Sequence, residues 1–177
     1  MMHPQPVAQV RGQCGVQRLA GADQRVIDRV LGTAAPDLAQ EGASVGILAA
    51  DIYGPSQPQM LGLAGQQPES KDGENMEPLE AYGLQAMSIG FMVDVETPMV
   101  WRGPMVAQAL DQLISQTNWR DIDYLIVDMP PGTGDIQLSL AQKVPVTGAV
   151  IVTTPQDIAL IDARKGLKMF EKVNIPI

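Results

Sequence analysis

A chain of 177 residues with 45% hydrophobic and 18% charged residues is long enough to bury a real core and too apolar for wholesale disorder. Its formal charge of −8 argues against the clustered basic surface that nucleic acids and anionic membranes select. It leaves open a phosphate site, which is local, and the 4% of aromatic residues leaves the core to Val, Ile, Leu, Met and Ala.

The first 21 residues, punctuated by Pro4, Pro6, Gly12, Gly15 and Gly21, read as irregular. Met1 to Val10 holds no apolar stretch of signal-peptide length, and no run nears the ~18 apolar residues of a membrane span. A cytoplasmic protein with no membrane and no nucleic-acid partner is expected. Val26, Ile27, Val30 and Leu31 follow a helical spacing behind Asp23 as a candidate N-cap. Pro36 interrupts it, and Asp37 to Glu41 add a further turn. Ser44 to Ala50 is a short apolar run of strand type that ends on Asp51. Residues 62–80 read as a surface loop, and Leu84 to Ile89 as a strand.

Gly103-Pro104 opens a helix from about Met105 to Gln116, with Val106, Leu110, Leu113 and Ile114 on its apolar face. Tyr124 to Val127 is a buried strand, Asp135 to Gln142 a short helix, and Ala149 to Thr153 another strand. Thr153-Thr-Pro-Gln-Asp157 reads as a helix start, with Thr154 or a neighbour as cap and Asp157 favoured by the helix dipole. Ile158 to Phe170 is then helical, with Ile158, Ile161, Leu167 and Phe170 as its apolar positions. Ile175-Pro-Ile177 looks like the beginning of a strand.

Strands and helices alternate, and the strands are continuous apolar runs. That predicts an α/β fold: a doubly wound, mostly parallel sheet covered on both faces. The domain reads as incomplete at both ends. Residues 1–39 form a divergent N-terminal segment and residues 40–177 a partial nucleotide-hydrolase-like domain.

The most specialised stretch is Asp123-Tyr-Leu-Ile-Val-Asp-Met-Pro-Pro-Gly-Thr-Gly-Asp135. Asp128 ends an apolar strand, where open α/β sheets bind ligands. In a nucleotide hydrolase such an acid holds magnesium, and Gly132, Thr133 and Gly134 would bring backbone N–H groups to a phosphate. Asp51, at the end of another buried strand, would share that edge and orient water. Yet no G-x-x-x-x-G-K-S/T phosphate loop occurs anywhere in the chain. Trp101-Arg-Gly-Pro104 fits an interface or ordinary helix packing equally well. Cys14, the one cysteine, has no C-x-x-C partner and reads as an incidental thiol.

From about Gln40 to Ile177 the chain resembles the Mrp (ApbC-type) iron–sulfur cluster carrier ATPases, of the deviant P-loop branch that includes septum-site and partition ATPases. The resemblance rests on Val45 to Pro58, Met99-Val-Trp-Arg-Gly-Pro-Met105, Asp123 to Asp135, and Gln142 to Gly148 through Arg164-Lys-Gly-Leu-Lys168. It implies a dimeric scaffold that binds ATP and Mg, carries a 4Fe–4S cluster and passes it to apo iron–sulfur proteins. It also implies Asp128 as the acid near magnesium, Gly132 as the glycine facing the γ-phosphate, and Asp51 as the acid that orients water.

Three departures accompany it. Arg11-Gly-Gln-Cys-Gly-Val16 is at most a faint echo of the family's phosphate loop. Ala49 stands where the family's Asp-Ala-Asp pattern has its first acid, and the chain stops before the family's cluster-bridging C-x-x-C and its adenine-pocket Asn. Loss of preorganised donors costs about 10²- to 10³-fold each in rate. Impaired ATP binding and hydrolysis are therefore expected, and loss of the first strand and helix would expose apolar surface. The competing readings are an inactive module docking on a full-length carrier, a partition-type ATPase, and a disrupted-frame product.

Overall fold

A computed structural model describes residues 12–17, 34–51, 56–92, 103–129, 137–138, 144 and 146–177. Six strands form one sheet: β1 (Gly12–Gln17), β2 (Val45–Ala49), β3 (Leu79–Ala81), β4 (Leu84–Ser88), β5 (Tyr124–Met129) and β6 (Gly148–Ile151). Their order is β3-β4-β2-β5-β1-β6, parallel throughout except for the β3–β4 hairpin. That hairpin turns on Tyr82 and Gly83, both at positive φ (53° and 76°), as a two-residue connection between twisted strands requires.

The predicted α/β class is observed. All five residues of β2 are buried, as are Leu125 to Met129 of β5, so the centre of the sheet is covered on both faces. Helix α1 (Gln57–Met60) follows β2, α2 (Gly103–Ser115) leads from β4 to β5, and α3 (Asp157–Lys172) follows β6. Helix α2 buries Val106, Leu110 and Leu113 on the face that its 3.6-residue period predicts.

The start of the sheet is pinned by local polar bonds. Ser44 N donates to Asp123 Oδ2 at 3.0 Å, and Asp123 N donates to Ser44 O at 2.7 Å. These bonds join the residues just before β2 and β5, whose register begins at Val45 opposite Tyr124.

Several expectations are corrected. Residues 12–17, expected to be irregular, form β1 inside the sheet next to its last strand, paired with β5 on one side and β6 on the other. The position of a first strand is thus filled, and no bare apolar slot is left there. Residues 34–40 are helical through Pro36, where an interruption was expected. The helix carries on past it, and Glu41 N reaches Asp37 O at 3.0 Å. The 62–80 loop contains β3 and buries Leu63.

Of the four apolar positions read on α3, Phe170 is buried as expected and the other three are not. Ala159, Gly166, Met169 and Phe170 are buried, whereas Ile158 and Ile161 are 74% and 53% exposed and Leu167 is also exposed. Small residues at 159 and 166 set that packing face. Its N-cap is Gln156 rather than Thr154, with no side-chain cap bond; Asp157 does occupy the first turn.

The helix ends in a Schellman motif. Ile175 N donates to Phe170 O at 3.0 Å and Asn174 N to Glu171 O at 3.1 Å, with Asn174 at φ 58°. Ile175 and Phe170 share one apolar cluster with Ala149 and Met169. Residues 175–177 carry no strand assignment, yet Pro176 O accepts from Ala149 N at 2.8 Å on β6. The helix proposed for 23–31, Trp101, Arg102, and most of 135–142 lie outside the described residues.

Candidate functional site

The strands bring both predicted acids to the C-terminal edge of the sheet. Parallel pairing sets Ala49 of β2 opposite Asp128 of β5. One step further, Ala50 N donates to Asp128 O at 2.9 Å, and Asp51 follows at once. The clamp at the other end of these strands fixes this register, so both carboxylates are delivered to one rim. Each is only 2% exposed. Burying two carboxylates is costly unless polar partners or a cation compensate.

A third buried polar group joins them. Gln57, also 2% exposed, opens α1, and its Nε2 lies 3.5 Å from Asp128 Oδ2. The four-residue helix that places it is set by Pro58 near its start. It is closed by Gly62 at φ 67°, with Leu63 N bonded to Pro58 O at 2.8 Å. Sequence reasoning quoted Gln57 within the Val45–Pro58 motif and gave it no role. Nothing within the motif singles it out, because its partner lies 71 positions away.

Behind Gln57 lies a cavity of about 470 Å³, walled by Ile47, Met60, Leu61, Leu84 and Gln57 itself. Its lining is mostly apolar.

Gly132, Thr133 and Gly134, the predicted phosphate-facing residues, lie outside the described residues, as do positions 52–55. The faint echo at residues 12–16 falls within β1. Strand pairing on both sides commits its backbone to the sheet, so it is no phosphate cradle.

Among the described residues no cluster of three or more His, Cys, Asp or Glu side chains could enclose a metal. Two buried carboxylates nevertheless suit magnesium. That cation takes hard oxygen donors, often one or two carboxylates, and completes its shell with water and phosphate oxygens. The donor set at this rim fits it.

A mostly parallel sheet with acids at the ends of adjacent central strands is the frame on which α/β nucleotide-binding proteins are built. A family model described as ParA, NUBPL iron-transfer P-loop NTPase, matches residues 30–177, and the chain belongs to that family. An iron–sulfur cluster carrier protein of Pseudomonas fragi is 66% identical over 141 residues, which is 79% of this chain and 49% of the relative. The iron–sulfur cluster transfer protein NUBPL of Mus musculus is 50% identical over 157 residues, 89% of this chain and 48% of the relative. The chain thus spans about half the length of these relatives. Among solved structures, a nucleotide-binding protein of Archaeoglobus fulgidus in complex with ADP superposes with a TM-score of 0.74 at 31% identity. The match covers 92% of this chain and 63% of that one.

Proposed function

We propose that the chain serves in iron–sulfur cluster carriage, contributing the cation-binding half of a nucleotide site whose own hold on ATP is impaired. The observation that carries this reading is the delivery of Asp51 and Asp128, both buried, to one rim of the sheet by strand register. The relatives named as cluster carrier and transfer proteins support the cargo. The absence of a G-x-x-x-x-G-K-S/T sequence supports the impairment.

In this reading Asp128 holds magnesium, which when bound offsets charge on phosphate oxygens. Asp51 accepts a hydrogen bond from water and so aims its lone pair. Gly132, Thr133 and Gly134 offer backbone N–H donors to phosphate. The cluster is cargo. A single cysteine, Cys14, cannot supply four thiolates, so a 4Fe–4S cluster would be held with thiolates from elsewhere. Apo iron–sulfur proteins and a homologous subunit, in a homodimer, are the proposed partners, and the cytoplasm the proposed compartment.

Calorimetric titration of the whole chain with Mg·ATP tests the nucleotide half. The expected result is no binding in the micromolar range, and an indistinguishable trace for Asp128→Ala. Micromolar affinity that disappears in Asp128→Ala would show an intact site and overturn the impairment.

A further inference from the structure

Gln57 reaches Asp128 from outside the sheet, across 71 positions of sequence. Both side chains are 2% exposed, so the amide has given up water to sit there. Its distance from Oδ2, 3.5 Å, is at the long limit where N–H···O attraction has already weakened. An amide N–H and a divalent cation both seek the lone pairs of that oxygen. A cation at a carboxylate sits roughly 2.1 Å away and outcompetes so long a bond. Gln57 also lines the 470 Å³ cavity together with Gln40, which gives its amide space and a polar neighbour to turn toward.

We propose that Gln57 is a positioning residue that holds Asp128 in the cation-free chain and yields Oδ2 when a magnesium-class cation arrives. Its amide then turns toward the cavity. Cation occupancy at the strand end is thereby passed to α1, the element that begins six residues after Asp51. This rests on the reading of Asp128 as the cation-binding acid.

The sign of one substitution separates this role from simple packing. A side chain that competes with the cation weakens its binding, so Gln57→Leu, which keeps the bulk and removes the donor, is expected to tighten Mg2+ binding. The gain should be about three- to tenfold, the size of one modest hydrogen bond. A residue that merely supports the fold, or one that stays bonded to Asp128 in the loaded state, would give weaker or unchanged binding.

The experiment is a Mg2+ titration of the full chain followed by NMR of the side-chain amides, with the Gln57 signal assigned by its loss in Gln57→Leu. The expected result is a Gln57 amide shift that saturates with Mg2+ and vanishes in Asp128→Asn, together with the tighter binding in Gln57→Leu. If Mg2+ binds while the Gln57 amide stays still, the proposal falls and the cation site stands. If Mg2+ does not bind at Asp128 at all, the site reading falls and takes the proposal with it. Should Gln57→Leu fail to fold, Gln57→Met, which also lacks the donor, serves both for the assignment and for the binding comparison.

Discussion

Gly46 shows how closely β2 is overlaid. A Cβ built there would lie 3.0 Å from the ring of Trp119 and 3.1 Å from Ile122 Cδ1, both buried. Replacing glycine by alanine in a strand gains about 0.4–1 kcal/mol through the unfolded chain. Overpacking of a closed core costs about 1–3 kcal/mol, and here the neighbours are a large ring and a branched side chain. The cost should win. Gly46→Ala is expected to lower stability by about 1–2 kcal/mol in urea unfolding, with the m-value unchanged. Gln57 teaches a different lesson at the same scale. Nothing local in Ser56-Gln57-Pro58 announces an amide contact with a residue 71 positions away. Asp51 and Asp128 were legible because each closes an apolar run, which places an acid at a strand end without any tertiary knowledge.

Among the elements, α3 departs furthest from its sequence pattern. Ile158 and Ile161 looked like core residues because they are large and aliphatic. The buried side is instead that of Ala159, Gly166, Met169 and Phe170. Its first turn is also under-secured. Gln156 has the extended backbone of an N-cap, φ −70° and ψ 141°, but its side chain makes no cap bond. A serine there can accept from an otherwise free N–H of the first turn. Gln156→Ser is expected to raise stability by about 1 kcal/mol, seen as a higher denaturation midpoint. No gain would mean that the neighbouring Pro155 holds the turn in a geometry the hydroxyl cannot use. Strand β1 was illegible for a related reason. Gly-Gln-Cys-Gly-Val-Gln has neither an apolar run nor alternation, and its place comes from pairing with β5 and β6 rather than from its own hydrophobicity.

For the whole molecule, acid stability has a traceable contributor. Asp72 accepts from the backbone N–H groups of Asn75 and Glu74 and from the Asn75 side-chain amide. The bonds from Asn75 lead in holding its carboxyl at about 2, below the ordinary 3.8. A depressed carboxyl stabilises the fold above its unfolded value, and that stabilisation fades as pH falls through the folded one. Between about pH 4 and 2 the unfolded chain therefore binds more protons at this group, and stability declines as acid is added. Asp72→Asn should lower the thermal midpoint at neutral pH and flatten its fall between about pH 4 and 2. An unchanged slope would place the acid sensitivity elsewhere. The overall α/β plan was legible at this scale because buried parallel strands advertise themselves as unbroken Val/Ile/Leu runs.

The turn that closes α3 has an outcome beyond tidying a helix end. By sending the backbone back along β6, it lets Pro176 O occupy the outward amide of Ala149. A foreign β-segment approaching that flank finds this donor already engaged. At Ala149, therefore, β6 has no outward donor left to offer another segment.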